Sequence, residues 1–283
     1  MKHRIDPKID CVFKALLGSV ENRNLLVHFL NAILENELKA PIATVDLLNP
    51  YNEKEFLDDK ISIVDVKAQD SEGKIYQVEI QLLQYADLPA RMAYTWADIY
   101  SQQLHSGNQY SELVPTYAIW ILDKALIQGD SDYVHAYKLR DEQGRLLVDH
   151  GGIWLLELPK FNAKRIENEA QRWLRFFKDG EDLDGTTVPD WMTTTEMRQA
   201  METLRRFSEK DRDYHEYQGR QNFIRQQQSI QSELDAEREG RLRALQREQT
   251  AMQREQTAVQ REQAALAEVE RLKALLADKE GKH

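Results

Sequence analysis

The chain has 283 residues, which suits one large domain or one domain with an appendage, and its 41% hydrophobic content is enough for a packed core. Its formal net charge of −10 argues against a protein that coats nucleic acid by bulk attraction, because such binding depends on Lys and Arg side chains that neutralise phosphate. The one cysteine, Cys11, excludes an internal disulfide and a thiolate zinc site, and no apolar run resembles a signal peptide or a membrane span, so we expect a soluble, cytoplasmic protein without a membrane partner.

Shifts in composition divide the chain into three parts. Residues 1–163 mix strand-like and helix-like periods with Gly and Pro punctuation, as a folded α/β unit does. Residues 164–220 are charged and helical in pattern, and we interpret them as a helical extension of the core. Residues 221–283 consist almost entirely of strong helix formers, which predicts one long, charged helix.

In the first part the predicted elements alternate between helices and strands. Two helices are predicted over residues 6–19 and 21–38, and a third over residues 88–107. The predicted strands cover residues 61–68, 75–83, 116–122, 133–141 and 146–158. The strand at 116–122, TYAIWIL, is apolar throughout and suits the middle of a sheet. The last two strands flank EQGR and are predicted to form a hairpin.

The stretch SIVDVKAQDSEGKIYQVEIQ reads as a hairpin with one carboxylate in each strand. Side chains alternate between the faces of a strand, so Glu79 and Gln81 share a face. If residues 71–73 form a three-residue loop with Gly73 in the left-handed conformation, Asp70 faces Lys74 and Asp65 faces Glu79. Directly opposed carboxylates repel each other unless a positive charge lies between them.

A divalent cation would resolve this repulsion. Mg²⁺ takes oxygen ligands, often uses only one or two carboxylates, and keeps positions for water and phosphate. The backbone carbonyl of Ile80 is a natural third ligand. The alternative is that both carboxylates are solvated on the exposed face of an edge hairpin, which fits Asp65 less well because its strand is largely apolar on both faces. Spacing alone leaves both interpretations open.

Several ordered motifs resemble the Rpn family of recombination-promoting nucleases, also described as transposases, within the PD-(D/E)XK nuclease superfamily. They are DxxFK, the acidic strand IVDVKA, GKIYQVEIQ, YxxQLxxGxxY and SELVPTYAIWIL, with matching residues Asp10, Phe13, Lys14, Tyr100, Gln103, Leu104, Gly107 and Tyr110. The resemblance is collinear from about residue 6 to 123 and weaker to about residue 231. No single motif is specific, but the ordered set is.

The resemblance implies a restriction-endonuclease-like mixed sheet flanked by helices, and hydrolysis of DNA phosphodiesters with Mg²⁺ or Mn²⁺. Asp65 matches the central acid, Glu79 matches the acid of the E-x-K element, and Asp10 matches an additional acidic position. These three residues and the Ile80 carbonyl form the implied metal site. Gln81 replaces the superfamily lysine, so it can orient the attacking water but cannot supply positive charge. The family name points to bacterial recombination and mobile DNA.

Three further side chains are expected beside the site. The resemblance implies that Tyr100 and Gln103 approach it. The alternative interpretation is that both residues are structural, with Tyr100 packed on the sheet and Gln103 bonded to a buried polar group. Lys14 would touch a phosphate or pair with Asp10. The predicted DNA contacts are Arg91, Lys164, Arg165, Arg172 and Arg175, although a solvated helix face explains the last four equally well.

The C-terminal part contains the seven-residue repeat QREQTAM, QREQTAV, QREQAAL. One heptad position is apolar, at Leu245, Met252, Val259 and Leu266, whereas its partner position is polar. We expect a weak coiled coil, with a homodimer as one consequence, or else a solvated or partly disordered tail. This helix, the acidic net charge and Gln81 also support an alternative function, a catalytically weak or inactive nuclease fold that acts as an interaction protein through its C-terminal helix.

Overall fold

The computed structural model describes residues 1–50, 64–83, 85–183 and 188–280, with side chains described as far as residue 273. The helices are α1 (Asp10–Leu17), α2 (Arg23–Ile33), α3 (Leu88–Ser101), α4 (Glu169–Asp179), α5 (Thr195–Glu209) and α6 (Asp211–Glu280). The strands are β1 (Val45–Leu47), β2 (Val66–Asp70), β3 (Ile75–Gln81), β4 (Thr116–Leu122), β5 (Val134–Tyr137) and β6 (Gly151–Glu157).

The strands form one mixed sheet in the order β1-β2-β3-β4-β6-β5. Strands β3, β4 and β6 run parallel, and the pairs β1-β2, β2-β3 and β5-β6 are antiparallel. Strand β4 has the bounds predicted from TYAIWIL, and all of its residues are buried between two strands. The predicted mixed α/β architecture is therefore confirmed.

The two faces of the sheet are covered by different helices. Tyr76, Val78 and Ile80 of β3 share one hydrophobic core with α1, α2, α4 and α5. Helix α3 covers the other face, where Leu88 and Met92 pack with alternate residues of β4. The segment predicted as a helical extension thus contributes two helices to the main core, because the apolar stripes of α4 and α5 lie against the sheet.

Several predicted boundaries differ from those observed. Helix α1 begins at Asp10, three residues after Pro7, and β6 begins at Gly151, so residues 138–150 form a longer connection between β5 and β6 than predicted. Strand β1 was not predicted, because three residues are too few to show a period. Residues 61–63 of the predicted acidic strand lie outside the described residues.

The start of β6 requires glycine. Gly151 has a φ of +80°, and an added Cβ would lie 2.2 Å from the Thr116 carbonyl oxygen of the neighbouring strand. We expect Gly151→Ala to lower the free energy of unfolding by roughly 2–4 kcal/mol, because backbone strain and a backbone clash add. Gly129→Ala is the matched control, with a φ of +75° but open space around it. Equal losses for both variants in urea unfolding would contradict this prediction.

Contacts divide the chain into two units, residues 1–224 and 225–283. The described residues of the second unit, 225–280, form the later part of α6, where the apolar heptad residues Leu245, Met252, Val259 and Leu266 are all exposed. The long C-terminal helix is confirmed and begins at Asp211, ten residues before the predicted start. None of the helices in the described part of the chain has an apolar stretch long enough to cross a bilayer.

Candidate functional site

A pair of carboxylates lies where β2 begins and β3 ends. The register of this hairpin pairs Val66 with Val78 and Gln69 with Ile75, and its continuation places Asp65 opposite Glu79. Gly73 has a φ of +84° and its N–H donates to the Asp70 carbonyl at 3.1 Å. The predicted loop and register are therefore confirmed. This end of β3 is the carboxyl edge of the parallel strands, where open α/β sheets bind ligands.

Hydrogen bonds join each carboxylate to the opposite strand. The backbone N–H of Asp65 donates to Glu79 Oε1 at 3.2 Å, and the N–H of Ile80 donates to Asp65 Oδ2 at 3.1 Å. The N–H and carbonyl of one strand residue point to the same side. The carbonyl of Ile80 therefore faces the side on which Asp65 lies, as its predicted role as a third ligand requires.

The electrostatics of the pair are unfavourable for two negative charges. The Glu79 residue is only 4% exposed. Burial, and next the charge of Asp65, raise the pKa of Glu79 well above the usual carboxyl range, and the charge of Arg91 offsets part of this shift. A cation at the pair would offset the repulsion between the two carboxylates and favour the ionised form of Glu79.

Two cationic side chains approach the pair from opposite faces of the sheet. Lys14 of α1 places its Nζ 3.3 Å from Asp65 Oδ1. Arg91 of α3 lies over the Trp120 ring, 5.5 Å from its centroid, and its Nη1 is 3.5 Å from Gln81 Oε1. Lys14 thus pairs with Asp65, and the expected pair with Asp10 is not formed. Sequence reasoning missed this contact because it joins residues 51 positions apart.

The amide of Gln81 already has partners at both ends. Its Nε2 donates to the Leu83 carbonyl at 2.7 Å, while its Oε1 faces Arg91. The predicted role of orienting a water would therefore require the amide to leave Leu83 or to use the free lone pair of Oε1. That role stays a prediction.

Asp10 does not join the carboxylate pair. Its Oδ2 lies 3.7 Å from Arg220 Nε at the start of α6, and its buried Oδ1 has no hydrogen-bond partner among the described residues. No cluster of three or more Asp, Glu, His or Cys side chains that could hold a metal occurs within residues 1–50, 64–83, 85–183 and 188–273. The structure therefore does not bring Asp10 to the pair, because α1 turns this side chain towards Arg220 of α6, and its role as a third acidic ligand stays a prediction.

Tyr100 and Gln103 lie at the opposite edge of the sheet. The Gln103 amide donates to the Val114 carbonyl and to Thr116 Oγ1, at 3.1 and 2.8 Å. The Tyr100 hydroxyl bonds to His150 Nδ1 at 2.7 Å. Thr116 begins β4 and pairs with Ile75, at the far end of β3 from Glu79. The structure therefore places both residues away from the carboxylate pair, and Gln103 bonds to a buried polar group, as its structural alternative expects.

Of the four basic residues predicted to contact DNA after β6, two form ion pairs within the fold. Arg172 pairs with Glu169 at 2.9 Å, and Arg175 pairs with Asp179 at 2.8 Å while lying over the Phe161 ring. Both guanidinium groups already have partners within the fold, and DNA contact at these two positions stays a prediction. Lys164 and Arg165 are exposed in the connection that precedes α4. For these two residues DNA contact stays a prediction.

The residues at the pair fit a hard divalent cation. Two carboxylates and a strand carbonyl offer only oxygen atoms, the ligands that Mg²⁺ and Mn²⁺ prefer, and one or two carboxylates suffice for Mg²⁺. Burial and the neighbouring Asp65 charge raise the pKa of Glu79, so a cation bound at the pair would stabilise its ionised form. The donor set without Asp10 thus remains suitable for a metal.

Comparison with known proteins identifies the family of the chain. A family model described as PD-(D/E)XK nuclease family transposase matches residues 7–233, a range that contains α1 and the whole sheet. No curated protein and no solved structure gives a significant match. Because the family match spans well over half of the chain, the protein belongs to the PD-(D/E)XK nuclease family transposases.

Proposed function

We propose that the protein is a Mg²⁺- or Mn²⁺-dependent DNA endonuclease that hydrolyses phosphodiester bonds, acting in the recombination of mobile DNA. The observation that supports it is the pair formed by half-buried Asp65 and buried Glu79 at the carboxyl edge of β3, in a chain of a nuclease family. Asp65, Glu79 and the Ile80 carbonyl would hold the metal. When bound, a divalent cation lowers the pKa of a water and stabilises charge on the phosphate.

The chain's own residues have separate tasks in this proposal. The Ile80 N–H holds Asp65 in a fixed orientation, and the Asp65 N–H does the same for Glu79. Lys14 and Arg91 approach from the two faces of the sheet, so a phosphate at the pair would meet positive charge on both sides. The amide of Gln81 would orient the attacking water. Lys164 and Arg165 would contact DNA further from the pair.

The direct test is cleavage of supercoiled plasmid by the full-length protein with Mg²⁺, Mn²⁺, Ca²⁺ or EDTA. We expect nicked or linear product with Mg²⁺ or Mn²⁺ and none with EDTA. The melting temperature should also rise with Mn²⁺, since a ligand that binds only the folded state stabilises it. A folded protein that shows neither cleavage nor stabilisation would contradict the proposal and favour the inactive interaction protein.

The exposed heptad residues of α6 favour a homodimer as a second, compatible property. We expect the full-length chain to show a weak, concentration-dependent dimer in light scattering. The double variant Met252→Glu and Val259→Glu should weaken association by about tenfold, because it places charges on the narrow apolar seam.

The matched control is Thr250→Glu with Thr257→Glu, which adds the same charge to the opposite side of the same turns. This control should leave the mass distribution unchanged. Equal weakening by both double variants would show that net charge, and not the apolar seam, governs association.

A further inference from the structure

Lys14 is held at the carboxylate pair by the packing of its own helix. Its neighbours Phe13 and Leu17 are fully buried in the main core, which fixes α1 against the sheet. The Lys14 side chain is 44% exposed, whereas that of Asp65 is 15% exposed. The ammonium therefore lies on the solvent side of the carboxylate, where a substrate would arrive, and its long stem leaves it free to move.

Other cations at this edge are more tightly bound. Lys8 is 11% exposed and lies 3.4 Å from Asp6 and 3.6 Å from Asp123. Arg91 rests on the Trp120 ring and faces the Gln81 amide. Among the ion pairs of the described residues, Asp65 has one cationic partner within 4 Å, which is Lys14.

We propose that Lys14 supplies, from helix α1, the positive charge that the neutral Gln81 cannot supply from β3. Without metal it neutralises Asp65, and when a divalent cation binds Asp65 the ammonium turns towards the phosphate of the DNA. This inference rests on the proposed function, because it names a further catalytic residue for the same site.

Competition for Asp65 gives the proposal a distinctive signature. An ammonium and a divalent cation repel each other at one carboxylate, so Lys14 opposes metal binding even though it assists cleavage. Removal of its charge should therefore strengthen metal binding and weaken catalysis. If Lys14 merely held Asp65 in position, removal of its charge would instead weaken metal binding, because the Asp65 ligand would lose its fixed orientation.

The experiment compares full-length wild type with Lys14→Gln and Lys14→Arg. Calorimetric titration with MnCl₂ alone measures metal affinity, and single-turnover plasmid cleavage is measured at saturating Mn²⁺. We expect Lys14→Gln to bind Mn²⁺ about two- to fivefold more tightly and to cleave about a hundredfold more slowly. Lys14→Arg should keep most of the cleavage rate, because it keeps the charge.

Lys39→Gln is the matched control. Lys39 is exposed, and its charge acts on Glu72 in the hairpin turn at the opposite end of β3. This variant removes the same charge and should change neither measurement.

Two results would overturn the role of Lys14 alone. The first is weaker Mn²⁺ binding by Lys14→Gln, and the second is a wild-type rate for that variant at saturating Mn²⁺. A wild type that neither binds Mn²⁺ nor cleaves DNA would overturn the proposed nuclease itself, and the role of Lys14 with it.

Discussion

Asp65→Asn is expected to lower the rate of Mg²⁺-dependent plasmid cleavage by about a thousandfold, since loss of one metal-binding charge removes several kcal/mol of transition-state stabilisation. The fold should survive, because an Asn side-chain oxygen can still accept the Ile80 N–H that Asp65 Oδ2 accepts at 3.1 Å. The measurement is a plasmid cleavage time course, with circular dichroism and urea unfolding of the same preparations.

Asp46→Asn is the matched control for this variant. Asp46 lies on β1 of the same sheet, its side chain is 85% exposed, and it faces Arg23 at 3.8 Å. The Asp46→Asn variant should cleave plasmid at the wild-type rate. If a folded Asp65→Asn retained the wild-type rate, Asp65 could not be a metal ligand in the reaction.

Glu79→Gln is expected to abolish cleavage and yet to stabilise the metal-free protein in alkaline solution. The pKa of Glu79 is raised in the folded state from its ordinary 4.5 to about 8, chiefly by burial. A raised pKa means that the stability of the wild type is full below the ordinary carboxyl pKa and falls as pH rises through the folded pKa. Gln cannot ionise, so the variant lacks this loss.

The difference in unfolding free energy between variant and wild type should therefore grow between pH 5 and pH 9 in EDTA. We expect it to reach the order of 3 kcal/mol in favour of the variant. Urea unfolding at several pH values measures it. Saturating Mg²⁺ should make the wild type more stable than the variant, because the variant binds the metal poorly. A constant difference across this pH range would contradict the prediction.

Glu157, at the end of β6, is a second buried glutamate at the same edge and gives the opposite expectation. Burial alone would raise its pKa, but Lys160 and the N–H groups of Ile127 and Leu126 together lower it. Glu157→Gln should therefore destabilise the protein at neutral pH. The two variants thus distinguish Glu157, whose charge has partners within the fold, from Glu79, whose charge we expect a metal to stabilise.

The central part of the site could be predicted because it is local. Strand alternation and the left-handed Gly73 determine that Asp65 faces Glu79, and both signals lie within one hairpin. The apolar run of β4 similarly determines its bounds. Such short-range rules need no knowledge of how the rest of the chain packs.

The placements that the sequence does not predict concern residues whose neighbours are distant in sequence. A helical period shows which face of α3 meets the sheet, but not that its last turn lies at the far edge. At about 1.5 Å per residue, Arg91 and Tyr100 are separated by roughly 13 Å along the helix axis. Similarly, Asp10 pairs with Arg220, and nothing near either residue in the sequence indicates that contact.

The hairpin of β2 and β3 also has a consequence for how the protein folds. Asp65 and Glu79 are separated by a short loop, and such hairpins close within about 1–10 μs. In an isolated β2-β3 hairpin Glu79 faces water, because its burial requires β4 and α3. The free-energy cost of burying an ionised Glu79 therefore arises when β4 docks on the hairpin. We expect refolding in EDTA to slow as pH rises, and a divalent cation to restore its speed.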